Sequence, residues 1–307
     1  KENNLGTVVV YESDDLLNWN FKSEIKSSFF GNGFMWECPD YIKFGDKGVL
    51  IFCPQGLEPE GDKYKNIFQS GYLVGDKINF DNCEFKHGEF LEFDRGFDFY
   101  APQTTKSDDG RNILIGWMGL PEIEYPTDEN GWAHCLTIPR ELTLHGDKLI
   151  QNPIRELESL RKNKRSESYA LDNEEVGIEG FNEKVYEVEC DFRNISGTSV
   201  GIKLRKGKDE ETVFYYDIKD NKLVLDRSKS GKDFAVEYGR ERKCNYKNES
   251  LKLRIFVDIS SVEIFVNDGE EVFTSRIFTD EKSNGISLFA EGKTDIDINI
   301  WKLDIKS

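Results

Sequence analysis

An all-β fold is predicted by three features of this 307-residue sequence. Phe (22) and Tyr (12) are abundant and Met (2) is scarce, and aromatic side chains fit a pleated, half-buried surface. Short apolar runs are each preceded by Gly, Asp, Asn or Lys turn chemistry. Blocks opening at Trp36, Asp98 and Leu136 recur at roughly 40–60 residues, a period seen in propeller blades. The length holds two domains, each large enough for its own core.

Taken in order, residues 7–11 (TVVVY) form a short β-branched strand ended by the polar turn Ser13-Asp14-Asp15, with Trp19 as an aromatic anchor. Residues 49–53 and 113–117 are further apolar strands. Residues 151–164 carry the one helical pattern: Asn152 can cap, Pro153 suits the first turn, and Leu157 and Leu160 follow at helical spacing. Arg161, Lys162, Lys164 and Arg165 suit the C-terminal end of its dipole. This segment, 149–165, is expected to be a helical linker. From Ser166 on the pattern is antiparallel β. Residues 251–257 alternate apolar and polar, a turn follows at 258–261, then a strand at 262–266 and a turn at Asn267-Asp268-Gly269. Short strands and turns at this spacing predict a β-sandwich over 166–307.

A net charge of −17 speaks against nucleic acid or an anionic membrane as partner. The six cysteines form no Cys-x-x-Cys pair, and none of the three histidines stands at metal-ligand spacing, so no metal site is expected. Widely spaced cysteines in a chain of this size read as reduced thiols of a cytoplasmic protein. No run is apolar enough to span a bilayer.

The chemistry is concentrated in Met35-Trp36-Glu37-Cys38-Pro39-Asp40. An apolar collar of Trp36 and Pro39 would favour the neutral form of the Glu37 carboxyl. A carboxyl that keeps its proton near neutral pH can protonate a departing sugar oxygen. Asp40 is either a charged neighbour of Glu37 or a turn residue. In Asp98-Phe99-Tyr100 a carboxylate adjoins an aromatic ring, the pair a furanose needs for its hydroxyls and its C–H face. Trp117 is a second platform. The alternative for both Tyr100 and Trp117 is a place in the core. Cys38 fits beside the acid by its small size, with no histidine near in sequence to make it a nucleophile. Arg140 and Glu141 are expected to pair between blades, and Glu58, Glu60, Asp62 and Lys63 to form a solvated loop.

Six ordered blocks carry a resemblance. They are Trp36-Glu37-Cys38-Pro39-Asp40, Pro54-Gln55-Gly56-Leu57-Glu58-Pro59, Gly96-Phe97-Asp98-Phe99-Tyr100-Ala101-Pro102-Gln103, Ile115-Gly116-Trp117-Met118, Leu136-Thr137-Ile138-Pro139-Arg140-Glu141-Leu142 and Ser261-Val262-Glu263-Ile264-Phe265-Val266-Asn267-Asp268-Gly269. From about Gly6 to its end the sequence resembles glycoside hydrolase family 32, the β-fructofuranosidases. The resemblance implies a five-bladed propeller followed by a sandwich, cleavage of a small sugar substrate, sucrose or sucrose 6-phosphate, with retention through a fructosyl-enzyme intermediate, and no cofactor. It makes Glu37 the acid/base and puts Asp98, Tyr100, Trp117 and Cys38 at the sugar. Asp258-Ile259-Ser260 departs from the family's Asp-Arg-Ser.

The family's nucleophile and its stabilising Asp sit in Asn-Asp-Pro and Arg-Asp-Pro blocks. None of the eight prolines here follows an Asp. The resemblance therefore implies a chain that starts inside the propeller at Lys1, with residues 1–148 supplying the end of one blade and three more. Such a chain is expected to be inactive alone and to expose blade edges that invite self-association. The alternatives are a sugar-binding module without catalysis and a fructosyltransferase.

Overall fold

The computed structural model describes residues 5–304; Lys1, the expected start of the propeller part, and the last residues of the sandwich part lie outside them. Strands β1 (Val9–Glu12) and β2 (Asn20–Glu24) form a hairpin. Its turn is built as the sequence suggests. Ser13 Oγ accepts the N–H of Leu16, and Asp15 Oδ1 those of Leu17 and Asn18. Trp19 is no anchor, however: it is 55% exposed, its indole N–H donating to Leu16 O.

A four-stranded antiparallel meander follows: β3 (Met35–Phe44), β4 (Lys47–Gln55), β5 (Gly71–Asp76) and β6 (Leu91–Glu92). Val49-Leu50-Ile51-Phe52 on β4 has no polar face because both of its faces are covered. Leu50 and Phe52 pack with Trp36 and Phe90 on one side. On the other, Val49 and Ile51 meet Phe99, Leu114, Leu142 and Leu149. The three leucines belong to a second sheet, and Phe99 directly precedes its first strand: β7 (Tyr100–Lys106), β8 (Asn112–Met118), β9 (Cys135–Leu136), β10 (Arg140–His145) and β11 (Lys148–Pro153), in the order β11-β10-β8-β7 with β9 against β8. Successive antiparallel meanders stacked face to face are the packing of neighbouring propeller blades. The described residues give two such sheets and a hairpin, rather than three blades and the end of a fourth. The Asp98 and Leu136 blocks open one hairpin each, β7–β8 and β10–β11, and the two hairpins share a sheet.

The C-terminal part is one hydrogen-bonded sheet of nine strands folded onto itself: β12 (Arg161–Gly177), β13 (Tyr186–Lys206), β14 (Glu211–Asp217), β15 (Lys222–Lys229), β16 (Glu241–Asn245), β17 (Leu251–Asp258), β18 (Ser261–Val266), β19 (Glu271–Arg276) and β20 (Gly285–Leu303). One edge of β13 pairs with β20 throughout; the other pairs first with β17 and then with β14. The two halves thereby become the two layers of a sandwich around Val188, Phe192, Ile202, Phe214 and Ile255. The fold line crosses Gly197 and Gly292, at φ +100° and +132°. A Cβ on Gly292 would lie 2.1 Å from Ser196 O, and one on Gly197 2.2 Å from Glu291 O. Strain and clash together make Gly292→Val cost about 3 kcal/mol. Its urea midpoint should fall well below that of the parent, and an unchanged midpoint would contradict the fold-line role.

No α-helix occupies 151–164. β11 runs to Pro153, a 3-10 helix covers Arg155–Leu160, and β12 begins at Arg161 and pairs with β20. The spacing of Leu157 and Leu160 is satisfied within that short 3-10 helix, and the basic residues read as a helix end are strand residues. Ladder pairing outweighs a weak local helix preference.

The two parts are bolted together by buried charge. Arg140, fully buried, donates to Asp94 Oδ2 (3.1 Å), Gln151 Oε1 (3.0 Å), Glu263 Oε2 (2.8 Å) and Thr274 Oγ1 (2.7 Å). It thus spans from blade to sandwich rather than pairing with Glu141, which faces Arg111 at 3.5 Å. The 58–63 loop is also engaged, through Asp62 to Lys222 at 2.6 Å. Glu271 on β19 accepts from Arg95 (2.8 Å) and Lys148 (2.6 Å). Burial alone would raise its carboxyl, but Arg95 and Lys148 outweigh it and hold Glu271 below its ordinary value of 4.5. A carboxyl held lower in the folded state stabilises above its unfolded value and loses that contribution as pH falls through the folded one. Stability should therefore drop below about pH 4.5, and Glu271→Gln should flatten that limb. Equal slopes for parent and variant in a Tm-versus-pH series would count against this.

Candidate active site

Glu37 lies at a β-bulge. Between the pairs Glu37–Cys53 and Asp40–Ile51, Cys38 and Pro39 stand opposite the single residue Phe52. Cys38 takes φ +50°, and Pro39 sits where no ladder N–H is needed. Asp40 fastens the bulge to the next blade, its Oδ2 accepting Thr104 N (2.9 Å) and Thr104 Oγ1 (2.6 Å). It is neither a partner of Glu37 nor a simple turn residue. Trp36 faces away, stacked on Phe52 at 4.4 Å between ring centres. The Trp36 part of the expected apolar collar is thus on the opposite side of the strand from Glu37.

What surrounds Glu37 is polar and directed. Its Oε2 accepts Tyr100 Oη and Gln55 Nε2, both at 2.9 Å, and Gln55 Nε2 also reaches Tyr100 Oη at 3.3 Å. Burial, with the Glu37 carboxylate beside it, pushes the Tyr100 phenol above its ordinary range, so it stays protonated and donates. The Tyr100 ring is buried with Cys53, Phe68 and Leu120. Tyr100 thus keeps its ring in the cluster while its hydroxyl donates to Glu37. Trp117, partly buried, meets Tyr100 edge-on at 6.2 Å and His134 at 4.7 Å. Cys38 packs on the same cluster, and its carbonyl accepts Gln103 Nε2 at 3.3 Å. A hydrogen bond with Cys53 holds the Cys38 thiol below its ordinary value; the same bond, with burial, pushes Cys53 up.

Asp98 does not join this group. It is 1% exposed, and its oxygens are taken by Tyr125 Oη (2.6 Å), Arg227 Nη1 (3.2 Å) and Arg276 N (2.7 Å). The carboxylate read as a sugar ligand is a bolt between blade and sandwich. Its partners lie far along the chain, which the local pattern could not show. Phe97 beside it enters the sandwich core between Arg227 and Arg242, whose guanidinium carbons stand 3.7 and 4.1 Å from its ring centre. Gly96 is needed for the approach, since a Cβ there would lie 2.1 Å from Thr274 O.

Two residues of the site escaped the sequence reading. Gln55 was visible only as part of a block. His134 stands at φ +65° with Nδ1 buried and unpaired; burial first, then Arg276, holds its pKa below the ordinary value. Among the described residues no group of His, Cys, Asp and Glu is arranged to hold a metal ion, and no helix is long and apolar enough to cross a membrane.

Comparison with known proteins agrees with this architecture. Residues 1–153 match the Glycosyl hydrolases family 32 N-terminal domain, and residues 156–302 the Glycosyl hydrolases family 32 C terminal. The chain is 44% identical over 302 residues to a sucrose-6-phosphate hydrolase of Staphylococcus xylosus, covering 98% of this chain and 60% of that protein. A Bacillus subtilis sucrose-6-phosphate hydrolase is 37% identical over 310 residues, covering 98% and 62%. Among solved structures, sucrose-6-phosphate hydrolase from Lactobacillus gasseri superposes with a TM-score of 0.88 at 32% identity, over 99% of this chain and 62% of that one. The Bombyx mori GH32 β-fructofuranosidase gives 0.81 at 32% identity, over 98% and 61%. The chain thus spans about three fifths of the length of the relatives it matches. With two consecutive domain matches and a shared fold, it belongs to glycosyl hydrolases family 32.

Proposed function

We propose that this chain supplies the acid/base residue of a β-fructofuranosidase that hydrolyses sucrose 6-phosphate with retention. The observation that carries this is the fixing of Glu37 through one oxygen, Oε2, by Tyr100 and Gln55. Oε1 is then the oxygen that delivers a proton to the bridging oxygen as the fructosyl bond breaks, and that later takes one from the attacking water. Trp117 offers the aromatic face for the furanose. The relatives named as sucrose-6-phosphate hydrolases point to the phosphorylated sugar, and the Bombyx mori relative has been solved with sucrose. A cytoplasmic setting suits a phosphorylated sugar and six free thiols.

Double displacement also needs a carboxylate about 5–5.5 Å from the acid. The Asn-Asp-Pro block that would carry it is not in these 307 residues. The chain alone should release no hexose from sucrose 6-phosphate or sucrose. The same chain joined to a segment bearing that block should release it, faster from the phosphorylated sugar. A folded joined chain without activity on either sugar would overturn the proposal, and release by the chain alone would overturn the missing nucleophile.

A further inference from the structure

Cys38 and Cys53 are placed unlike the other four cysteines. Cys83 sits against Phe80 O, Cys135 against Met118, and Cys190 and Cys244 in the sandwich core. Cys38 and Cys53 instead lie on adjoining strands of one blade and pack in the same apolar cluster. Cys53 stands directly across the ladder from Glu37, fully buried, with its sulfur 3.3 Å from Ser70 Oγ. Cys38 is partly buried, at the bulge, in backbone conformation that an L side chain rarely adopts. One thiol is therefore within reach of small solutes and the other is held behind it.

We infer that Cys38 and Cys53 form a dithiol that hydrogen peroxide converts into a disulfide beside Glu37. The inference rests on the thiols alone and not on the glycosidase reading. The Cys38 thiolate, at the more accessible of the two sulfurs, attacks one peroxide oxygen. The O–O bond breaks, hydroxide leaves and takes up a proton as water, and Cys38 becomes a sulfenic acid. The Cys53 sulfur then attacks the Cys38 sulfur. The S–S bond forms as the S–O bond breaks, and the Cys53 proton leaves with the hydroxyl as water. Two thiols are oxidised and one peroxide is reduced to two waters. The product ties β3 to β4 at the bulge that aims Glu37, so thiol reduction becomes a condition for the site's geometry.

The test is peroxide treatment of the native chain, alkylation of the remaining thiols, and mass analysis of the intact protein and its peptides. The expected result is a loss of about 2 Da, one cross-linked peptide pair containing residues 38 and 53, and full reversal by dithiothreitol. Cys53→Ala should lose the cross-link and instead carry oxygen on Cys38, a gain of about 16 or 32 Da. Peptide mapping of the parent needs no variant, so a poorly folding Cys53→Ala leaves the test intact. Cys38 that stays fully alkylatable, or a cross-link joining any other pair, would overturn the inference.

Discussion

Arg140→Ala is expected to destabilise the protein by about 3–5 kcal/mol, the cost of breaking a buried ion pair by removing one partner. The guanidinium is completely buried and serves four acceptors, two of them carboxylates: Asp94 from the blade side and Glu263 from the sandwich. Removing it leaves both acids in the interior without a counter-charge. Burial already pushes Glu263 above its ordinary value, and Arg140 is the main opposing influence. Arg140→Lys keeps the charge but cannot reach both acids as a planar fork, so it should fall between parent and alanine variant. Urea unfolding followed by tryptophan fluorescence checks this. A loss below about 1 kcal/mol for the alanine variant would mean that the network is not what joins the two parts.

Glu37→Gln, in a protein that also carries the nucleophile block, should lower kcat/KM by about 10²–10⁴-fold, the usual contribution of a positioned general acid. Glutamine fills the same space and can still meet Tyr100 and Gln55, so folding should be untouched. Tyr100→Phe removes one of the two donors on Oε2 and should cost about tenfold or more in rate. Asp98→Asn gives the contrasting result: lost stability with KM held, because Asp98 binds Arg227 and Arg276 rather than sugar. A raised KM with unaltered stability for Asp98→Asn would restore it to the sugar site.

The strands of the blades were legible because their runs are short, apolar and bounded by turns. Residues 149–165 were misread because β12 is an edge strand that pairs with β20 alone and carries mostly polar residues. Without an apolar stripe of period two, the brief leucine spacing before it dominated the pattern. Glu37 was singled out by its motif, but its surroundings were not legible there. Counting the hairpin outward from Phe44–Lys47 without a bulge would set Gln55 beside Trp36, on the wrong face. The extra residue at Cys38-Pro39 moves the register so that Met35 faces Gln55 and Cys53 faces Glu37. Nothing in the order of residues announces that shift. The arginine partners of Asp98 were not legible, because an acid beside two aromatic rings looks the same locally whether it meets a sugar or a distant arginine.

The run from Gly96 to Tyr100 passes through both halves of the protein in five residues. Phe97 is in the sandwich core, Phe99 in the core between blades, and Tyr100 on Glu37. A lineage that exchanged its C-terminal sheet for an unrelated one would strand Phe97 and Asp98 without their arginines, and the disturbance would arrive at Glu37 two residues later. The unit that inheritance must keep whole is therefore larger than either domain, and the sandwich persists as part of what holds the Glu37 carboxyl in place.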